Sequence, residues 1–325
     1  KDVGGDAEHP LIWSEVYVMF PPNGMLVNII QRHWVDRAKK EFLFESATIP
    51  VAGEDVGLTG DPPALASGRI GRAVAFTDFN GVRHDLPAPR WVIQVDAVGE
   101  LPLTGDSQLL ADETMERLKP LGVKPNLFGI DRTGVGQGTM DIIRHQWRSK
   151  IDMIRGSSEV VDIAGVHYSE GASETKVMEE DSKTCKELYV GVIAEMWYAT
   201  ARFFEHDCIG IGKGVTDKTI SQLVNRRGGS TAGRGKLMEP ESKKDYKQRN
   251  GDKSPDEADA FTLLVHTARH AVSELKPKAP DTTLERPKIP SIFDKASGDG
   301  LKFGDALDMG WKRMAMGKEI NVNTD

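Results

Sequence analysis

Apolar positions along the chain recur two apart in some stretches and three or four apart in others, and the changes of period mark its elements. Residues 48–57 read as a strand ending at Asp55, turned by Gly57-Leu58-Thr59-Gly60-Asp61. Residues 64–76 and 90–98 read as two more strands, with Asn80-Gly81 as the hairpin turn between them. Pro62 and Pro63 suit a central strand poorly, so the second strand starts after them. Residues 107–119 read as a helix with Leu109, Leu110, Met115 and Leu118 on its apolar face. Next come a short buried strand at 126–131, a loop and helix at 134–147, and a β-rich run at 159–168. A long helix carrying Leu188, Val192, Met196, Ala199 and Phe203 is expected at 182–206, a short one at 218–226, an extended stretch at 236–241, and a last helix at 255–275. Three antiparallel strands followed by strand–helix alternation predict an α/β fold, a mixed sheet with helices on both faces.

The flanks differ. Residues 29–43 read as an amphipathic helix, with Ile30, Trp34, Ala38 and Phe42 four apart. Residues 1–47 as a whole read as the end of a preceding unit, and with Lys1 at its start the chain is expected to be a piece of something longer. Gly228 to Gly233 has the composition of a flexible linker. Beyond Lys276 the chain is rich in Pro and Lys without periodicity. Residues 276–325 are therefore expected to be a tail, partly disordered or docked on a partner, leaving 48–275 as the folded domain.

Composition narrows the class. Cys185 and Cys208 are the two cysteines among 325 residues, too few for a disulfide framework, and they point to a reducing compartment. No apolar run is long enough for a membrane span. A net charge of −7 argues against a surface that grips nucleic acid everywhere, but from Arg226 to Lys253 nine Lys/Arg face four Asp/Glu, a local +5. Such a stretch is usually a solvated loop; here it directly precedes an acidic motif, which directs it toward phosphate.

Three acidic motifs carry the candidate chemistry. Asp55 ends the first strand, Asp61 lies across the following glycine turn, and Glu54 faces away because strand side chains alternate. Asp131 ends the apolar run Leu127-Phe128-Gly129-Ile130, the strand end at which open α/β sheets place ligands. In Ser254-Pro255-Asp256-Glu257-Ala258-Asp259, Ser254 reads as the N-cap, Pro255 as the first helical residue and Glu257 as the partner in a capping box. Asp256 and Asp259 then share a face near the positive end of the helix. Acidic residues are common in first turns, and one such motif alone means little. Three carboxylates brought together make a socket of hard oxygen donors for Mg²⁺ or Mn²⁺.

Other motifs do not hold. The glycines at 134, 136 and 138 lack dinucleotide-loop spacing, and Gly210 to Gly214 fails as a Walker A loop because Asp207 stands at the first glycine position and Gly214 follows Lys213. His266 and His270 are four apart on a helix, but no glutamate follows the first and no third ligand is evident, so zinc is not expected. Trp197, Tyr198, Phe203 and Phe204 read as core.

In order and spacing, the acidic motifs resemble the nuclease domain of phage large terminase subunits, over residues 5–275. The resemblance rests on His9-Pro10-Leu11-Ile12-Trp13 through Pro21-Pro22, Asp55-Val56-Gly57 with Gly60-Asp61, Asp131-Arg132-Thr133-Gly134-Val135-Gly136, and Glu241-Ser242-Lys243-Lys244-Asp245 leading to Ser254 through Ala260. It implies a ribonuclease H-like sheet, and an endonuclease that cuts concatemeric double-stranded DNA during genome packaging with two Mg²⁺ or Mn²⁺ ions. Asp55, Asp131 and Asp256 would be the catalytic ligands, with Asp61 and Asp259 in support. Arg226, Arg227, Lys243, Lys244 and Lys247 would contact phosphates without reading sequence. The implied partners are the terminase ATPase region, the small terminase subunit and the portal, in the host cytoplasm and transiently at the procapsid. Without the ATPase half, this piece is not expected to translocate DNA, and Pro62-Pro63 departs from the family pattern. A resolvase-type nuclease for branched DNA and a non-catalytic module that docks on a portal are the alternatives.

Overall fold

A computed structural model describes residues 26–58, 60–155, 163–231, 237–272 and 275, with 148–155 as backbone alone. The readings made for 1–25 and for the tail at 276–325 lie outside the described residues.

After strand β1 (Val27–Asn28), the segment expected to be one amphipathic helix is two elements: helix α1 (Arg32–Arg37) and strand β2 (Lys40–Phe44). Its four-residue repeat ends at Ala38 because Lys40 to Phe44 pair with the far end of a long strand, Lys40 opposite Asp78 and Phe42 opposite Phe76. The sheet thus begins upstream of 48, and the expected boundary at 47/48 falls inside it.

Strands β3 (Ile49–Asp55), β4 (Ala64–Asp78) and β5 (Arg83–Glu100) form the antiparallel centre. They meet the three expected strands, with β4 and β5 each running further toward their shared turn. Helix α2 (Ser107–Leu121) follows, capped by Asp106, whose side chain accepts from the backbone of Gln108 and Leu109. Leu110, Ala111, Thr114, Met115 and Leu118 are its buried face; Leu109, expected there, is 57% exposed. After a 3₁₀ turn at Pro125–Leu127 come β6 (Phe128–Asp131), α3 (Gly136–Arg155) and β7 (Ala164–Val166).

The expected helix at 182–206 is broken into α4 (Cys185–Leu188) and α5 (Val192–Glu205). Tyr189 and Val190 are drawn into extended backbone pairing with Met238, which outweighs the helical periodicity between them. A strand not anticipated, β8 (Ile209–Val215), occupies the glycine run dismissed as a phosphate loop. Then come α6 (Asp217–Asn225), β9 (Arg227–Ser230), β10 (Met238–Pro240), α7 (Lys243–Arg249) and α8 (Asp256–Ala271). The described part of the expected linker at 228–233 is therefore mostly strand, held between β1 and β10 in a small second sheet.

The main sheet runs β7-β6-β3-β4-β5-β8. Strand β6 pairs parallel with β3 and with β7, and β8 pairs parallel with β5. This is the ribonuclease H-like order: antiparallel centre, parallel flanks.

Helix α8 is the central helix, with 13 of its 16 residues buried. Phe261, Leu263, Leu264 and Val265 are fully buried, and each such side chain contributes roughly 1.5–3 kcal/mol. Its seat is cut by two glycines in register, Gly53 of β3 opposite Gly129 of β6. A Cβ on Gly53 would lie 2.4 Å from the Leu264 amide nitrogen and 2.7 Å from the Ala260 carbonyl oxygen. One on Gly129 would overlap Thr267 Oγ1 at 1.9 Å. The intervening Glu54 points to the opposite face, where it accepts a hydrogen bond from Thr114 of α2. Helices therefore cover both faces.

Gly53→Ala is expected to lower the unfolding free energy by about 3 kcal/mol, the upper part of the overpacking range, because backbone atoms rather than a flexible side chain must move. Gly99→Ala, whose Cβ meets nothing within 4 Å, should stay within about 0.5 kcal/mol of the wild type. Urea denaturation of both variants measures the difference.

Candidate metal centre

The glycine seat also aims the carboxylates. Side chains two apart on a strand share a face, so Asp55, two after Gly53, and Asp131, two after Gly129, point to the side where α8 lies. Glu54 pairs with Ile130, so the two aspartates end adjacent parallel strands. Helix α8 crosses Gly53 at Ala260 and Leu264 and Gly129 at Leu263 and Thr267; toward its N-terminus it presents Asp256 and Asp259. Carboxylate oxygens of Asp55, Asp256 and Asp259 lie within 4.8 Å of one another. Asp131 stands outside this group of three but close enough that its charge acts on Asp55.

All four aspartates are buried, from 3% to 7% exposed. Burial, reinforced by Asp259, Asp256 and Asp131 and opposed by Lys243, holds the Asp55 carboxyl well above the usual range. Burial likewise raises Asp131 and Asp256. Each has a positioned donor. Tyr168 Oη donates to Asp55 Oδ1 at 3.2 Å, the Thr133 amide to Asp131 Oδ1 at 2.9 Å, Trp197 Nε1 to Asp259 Oδ1 at 3.1 Å, and Ser254 Oγ to Asp256 Oδ1.

The cation among them is Lys243. Its Nζ lies 2.9 Å from Asp259 Oδ2, 3.2 Å from Asp55 Oδ2 and 3.8 Å from Asp256 Oδ1, and 5.7 Å from the Tyr168 ring centroid. Burial works against its charge, but Asp259 and Asp55 outweigh this and hold the ammonium well above the usual lysine range. Lys243 is the first residue of α7, set there by Ser242, whose Oγ caps the Asp245 amide at 3.1 Å. The residue expected on phosphate therefore sits in the carboxylate cluster.

The other candidates spread outward. Asp61 is at the rim, paired with Lys247, and its charge adds to the rise at Asp256. Lys244 and Lys247 line a surface depression beside Lys243. Arg227 is half-buried in β9, its amide donating to Glu241 Oε1 at 2.8 Å. Arg226, expected at the surface, is 2% exposed, with its guanidinium 5.6 Å from the Trp197 ring and 5.4 Å from that of Tyr246. It lines a cavity of about 340 Å³ that also reaches Tyr168, Lys243 and Asp259.

The expected capping box at α8 does not form. Pro255 is the N-cap, and Ser254 Oγ turns to Asp256. Glu257 is held from α6, accepting from Thr219 Oγ1 and pairing with Lys218 at 2.9 Å. The sequence reading missed Tyr168 and the Asp259 donor Trp197. Tyr168 follows a short strand and carries no motif, and Trp197 is indeed fully buried core. The signal for Lys243 was its place just inside the Ser242 cap.

No protein-family model matches the sequence, and no curated protein matches it. In structure, the chain shares the fold of phage large-terminase nuclease domains. The nuclease domain of the large terminase subunit gp2 of bacterial virus Sf6 superposes with a TM-score of 0.50 at 18% identity, over 74% of this chain and 99% of that one. The large terminase nuclease of thermophilic phage G20c with bound magnesium aligns at a TM-score of 0.36 and 12% identity, over 76% of this chain and 89% of that one. The nuclease domain of g2p, the large terminase of bacteriophage SPP1, with bound Mn, aligns at 0.31 and 12%, over 69% and 86%. Among the described residues no helix is long and apolar enough to cross a membrane.

Burial also leaves a pH signature beside the centre. The Glu54 carboxyl, fully buried, is pushed up to about 8 by burial, with the Thr114 bond opposing and Asp55 adding to the rise. Its folded value lies above its unfolded one, so the folded state holds a proton that the unfolded chain releases. Its contribution to stability is full below about pH 4.5 and is lost as pH rises toward 8. Glu54→Gln should therefore be more stable than the wild type at pH 8, by at most about 5 kcal/mol, and nearly equal to it at pH 5. Urea unfolding at the two pH values reads this, and an unchanged difference between them would place the titration elsewhere.

Proposed function

We propose that this chain is the nuclease part of a viral DNA-packaging terminase, a metal-dependent endonuclease that cuts concatemeric double-stranded DNA. The observation that carries the reading is the convergence of Asp55, Asp256 and Asp259 at the ends of β3 and α8. Asp55, Asp131 and Asp256 are the catalytic ligands in this reading, with Asp61 and Asp259 in support. The donor set fits two Mg²⁺ or Mn²⁺ ions: it is made of hard carboxylate oxygens, it is crowded enough to raise three of the carboxyls, and it already holds an ammonium at its centre. Bound there, the ions would activate water and neutralise charge building on the phosphate.

The chain's own residues prepare that step. Tyr168, Thr133, Trp197 and Ser254 orient one carboxylate each. Lys243 keeps the cluster neutral enough to fold and must give way, or share its oxygens, when metal enters. Lys244 and Lys247, beside the centre, and Arg227 hold the duplex by its phosphates, and Arg226 offers its charge from within the adjoining cavity. The ATPase region, the small terminase subunit and the portal are the partners this function requires, in the host cytoplasm and at the procapsid.

Asp131→Asn should lower plasmid nicking in Mn²⁺ by at least about 100-fold, the scale on which losing a group that stabilises developing charge is felt, with an unchanged circular dichroism spectrum. Nicking at the wild-type rate by the purified variant would remove Asp131 from the mechanism. Lys244→Ala should reduce the slope of log affinity for duplex DNA against log salt by about 0.9. An unaltered slope in a filter-binding titration would take Lys244 off the phosphate.

A further inference from the structure

The cavity of about 340 Å³ beside the aspartates has a wall that the carboxylate centre does not use. Gly191, Ile193 and Ala194 line it. They belong to the cap and first turn of α5, a helix of 14 residues whose N-cap, Gly191, offers no side chain to bond its amides. The first amides of a helix have no carbonyl in a preceding turn, and they carry its positive end. The Val192 amide is satisfied by the Glu170 carbonyl at 3.0 Å, but those of Ile193 and Ala194 have no partner among the described residues.

Arg226 lines the same cavity. It is 2% exposed, and its Nε and Nη1 are buried without a hydrogen-bond partner among the described residues. The rings of Trp197 and Tyr246 hold the guanidinium by its charge and leave its donors unfilled. A buried donor without an acceptor is costly, and it calls for an occupant. The carboxylates on the lining do not supply one. Glu241 Oε1 accepts from the Arg227 amide and from Arg249, Asp259 accepts from Trp197 Nε1 and pairs with Lys243, and Glu239 is exposed, where water and salt screen it.

We propose that this cavity binds a phosphate monoester, its phosphate held by Arg226 and the start of α5 and its organic part laid against Val190, Pro240 and Tyr168. A helix N-terminus and an arginine are each suited to anions, and the two together suit one with several acceptor oxygens. The cavity is at the small end of the range for ligand sites, about 300–1,000 Å³. It has room for one small molecule and none for a duplex. Arg226 lies too deep for a phosphate inside a continuous strand, which is flanked by sugar on both sides, whereas a terminal phosphate can enter first. The way in is beside Lys243, whose side chain is 40% exposed. A free mononucleotide and the 5′-phosphorylated end of a strand both offer this group. The phosphate site stands apart from the nuclease reading; a strand end as its occupant rests on that reading.

The test is calorimetric titration of the full chain in EDTA, so that binding is read without metal-dependent cleavage. Thymidine 5′-monophosphate should bind at least about tenfold more tightly than thymidine. Arg226→Gln should weaken the nucleotide by more than about 30-fold. Glu239→Gln, at an exposed position on the lining where the fold is not at risk, should tighten it by about twofold, because a carboxylate there opposes an anion. A 5′-phosphorylated oligothymidylate that binds at least about tenfold more tightly than its 5′-hydroxyl form identifies the strand end as the occupant. Equal binding of the two forms, with the mononucleotide still bound, identifies the free nucleotide and leaves the site standing. Thymidine and its monophosphate binding alike, neither binding, or a nucleotide affinity unmoved by Glu239→Gln or by a folded Arg226→Gln would overturn the site.

Discussion

Helix α8 lies directly on the backbone of the sheet, and this contact organises the molecule. It is possible at Gly53 and Gly129 because neither carries a side chain, and the two are neighbours because β3 and β6 pair in parallel register. Once the helix is seated, strand alternation leaves no choice about the rest. Asp55 and Asp131 emerge on the helix side at the strand ends, Glu54 is sent to the opposite face against Thr114, and the first turn of α8 arrives beside Asp55. A single extra methyl group at the seat would tilt the helix and separate the carboxylates together.

Concentrating four buried aspartates opposes folding, since desolvation and mutual repulsion both disfavour their charged forms. The fold meets this with one ammonium and several fixed dipoles. Lys243 reaches three of the carboxylates from the first position of α7, and hydroxyl, indole and amide donors hold one oxygen of each aspartate. The arrangement concentrates negative charge at one point, where the ammonium of Lys243 lies. The same helix pair is tied again further along, where Glu195 meets Arg269, His266 and His270, so α5 holds α8 at two places.

Much of this was legible in the residues. The ends of β3 and β6 and the shared turn of Asp256 and Asp259 follow from local period and turn chemistry and stand where expected, with the start of α8 one residue later than expected. The failures share a cause. Residues 29–43 carry a helical repeat but from Lys40 onward were captured by β4, Tyr189 and Val190 were captured by β10, and Gly228-Gly229-Ser230 became a strand because they pair with β1 and β10. In each case a partner distant in sequence supplied hydrogen bonds or space that the local pattern does not record. The capping box at Ser254 failed in the same way, because Glu257 found better donors on α6.

The sequence by itself determined the strand and helix periods at the centre of the domain, the acidic residues at their ends, and the basic stretch before α8. These are local properties, set by side-chain alternation, helix-end electrostatics and composition. Only the tertiary structure decided that Lys243 stands among the aspartates, that Arg226 is enclosed between two aromatic rings, and that two histidines set aside for lack of a partner share a carboxylate. The physical reason is that electrostatic roles depend on distance through space. A charge three ångströms away acts strongly whatever its separation along the chain, and that distance exists only after the helices have packed.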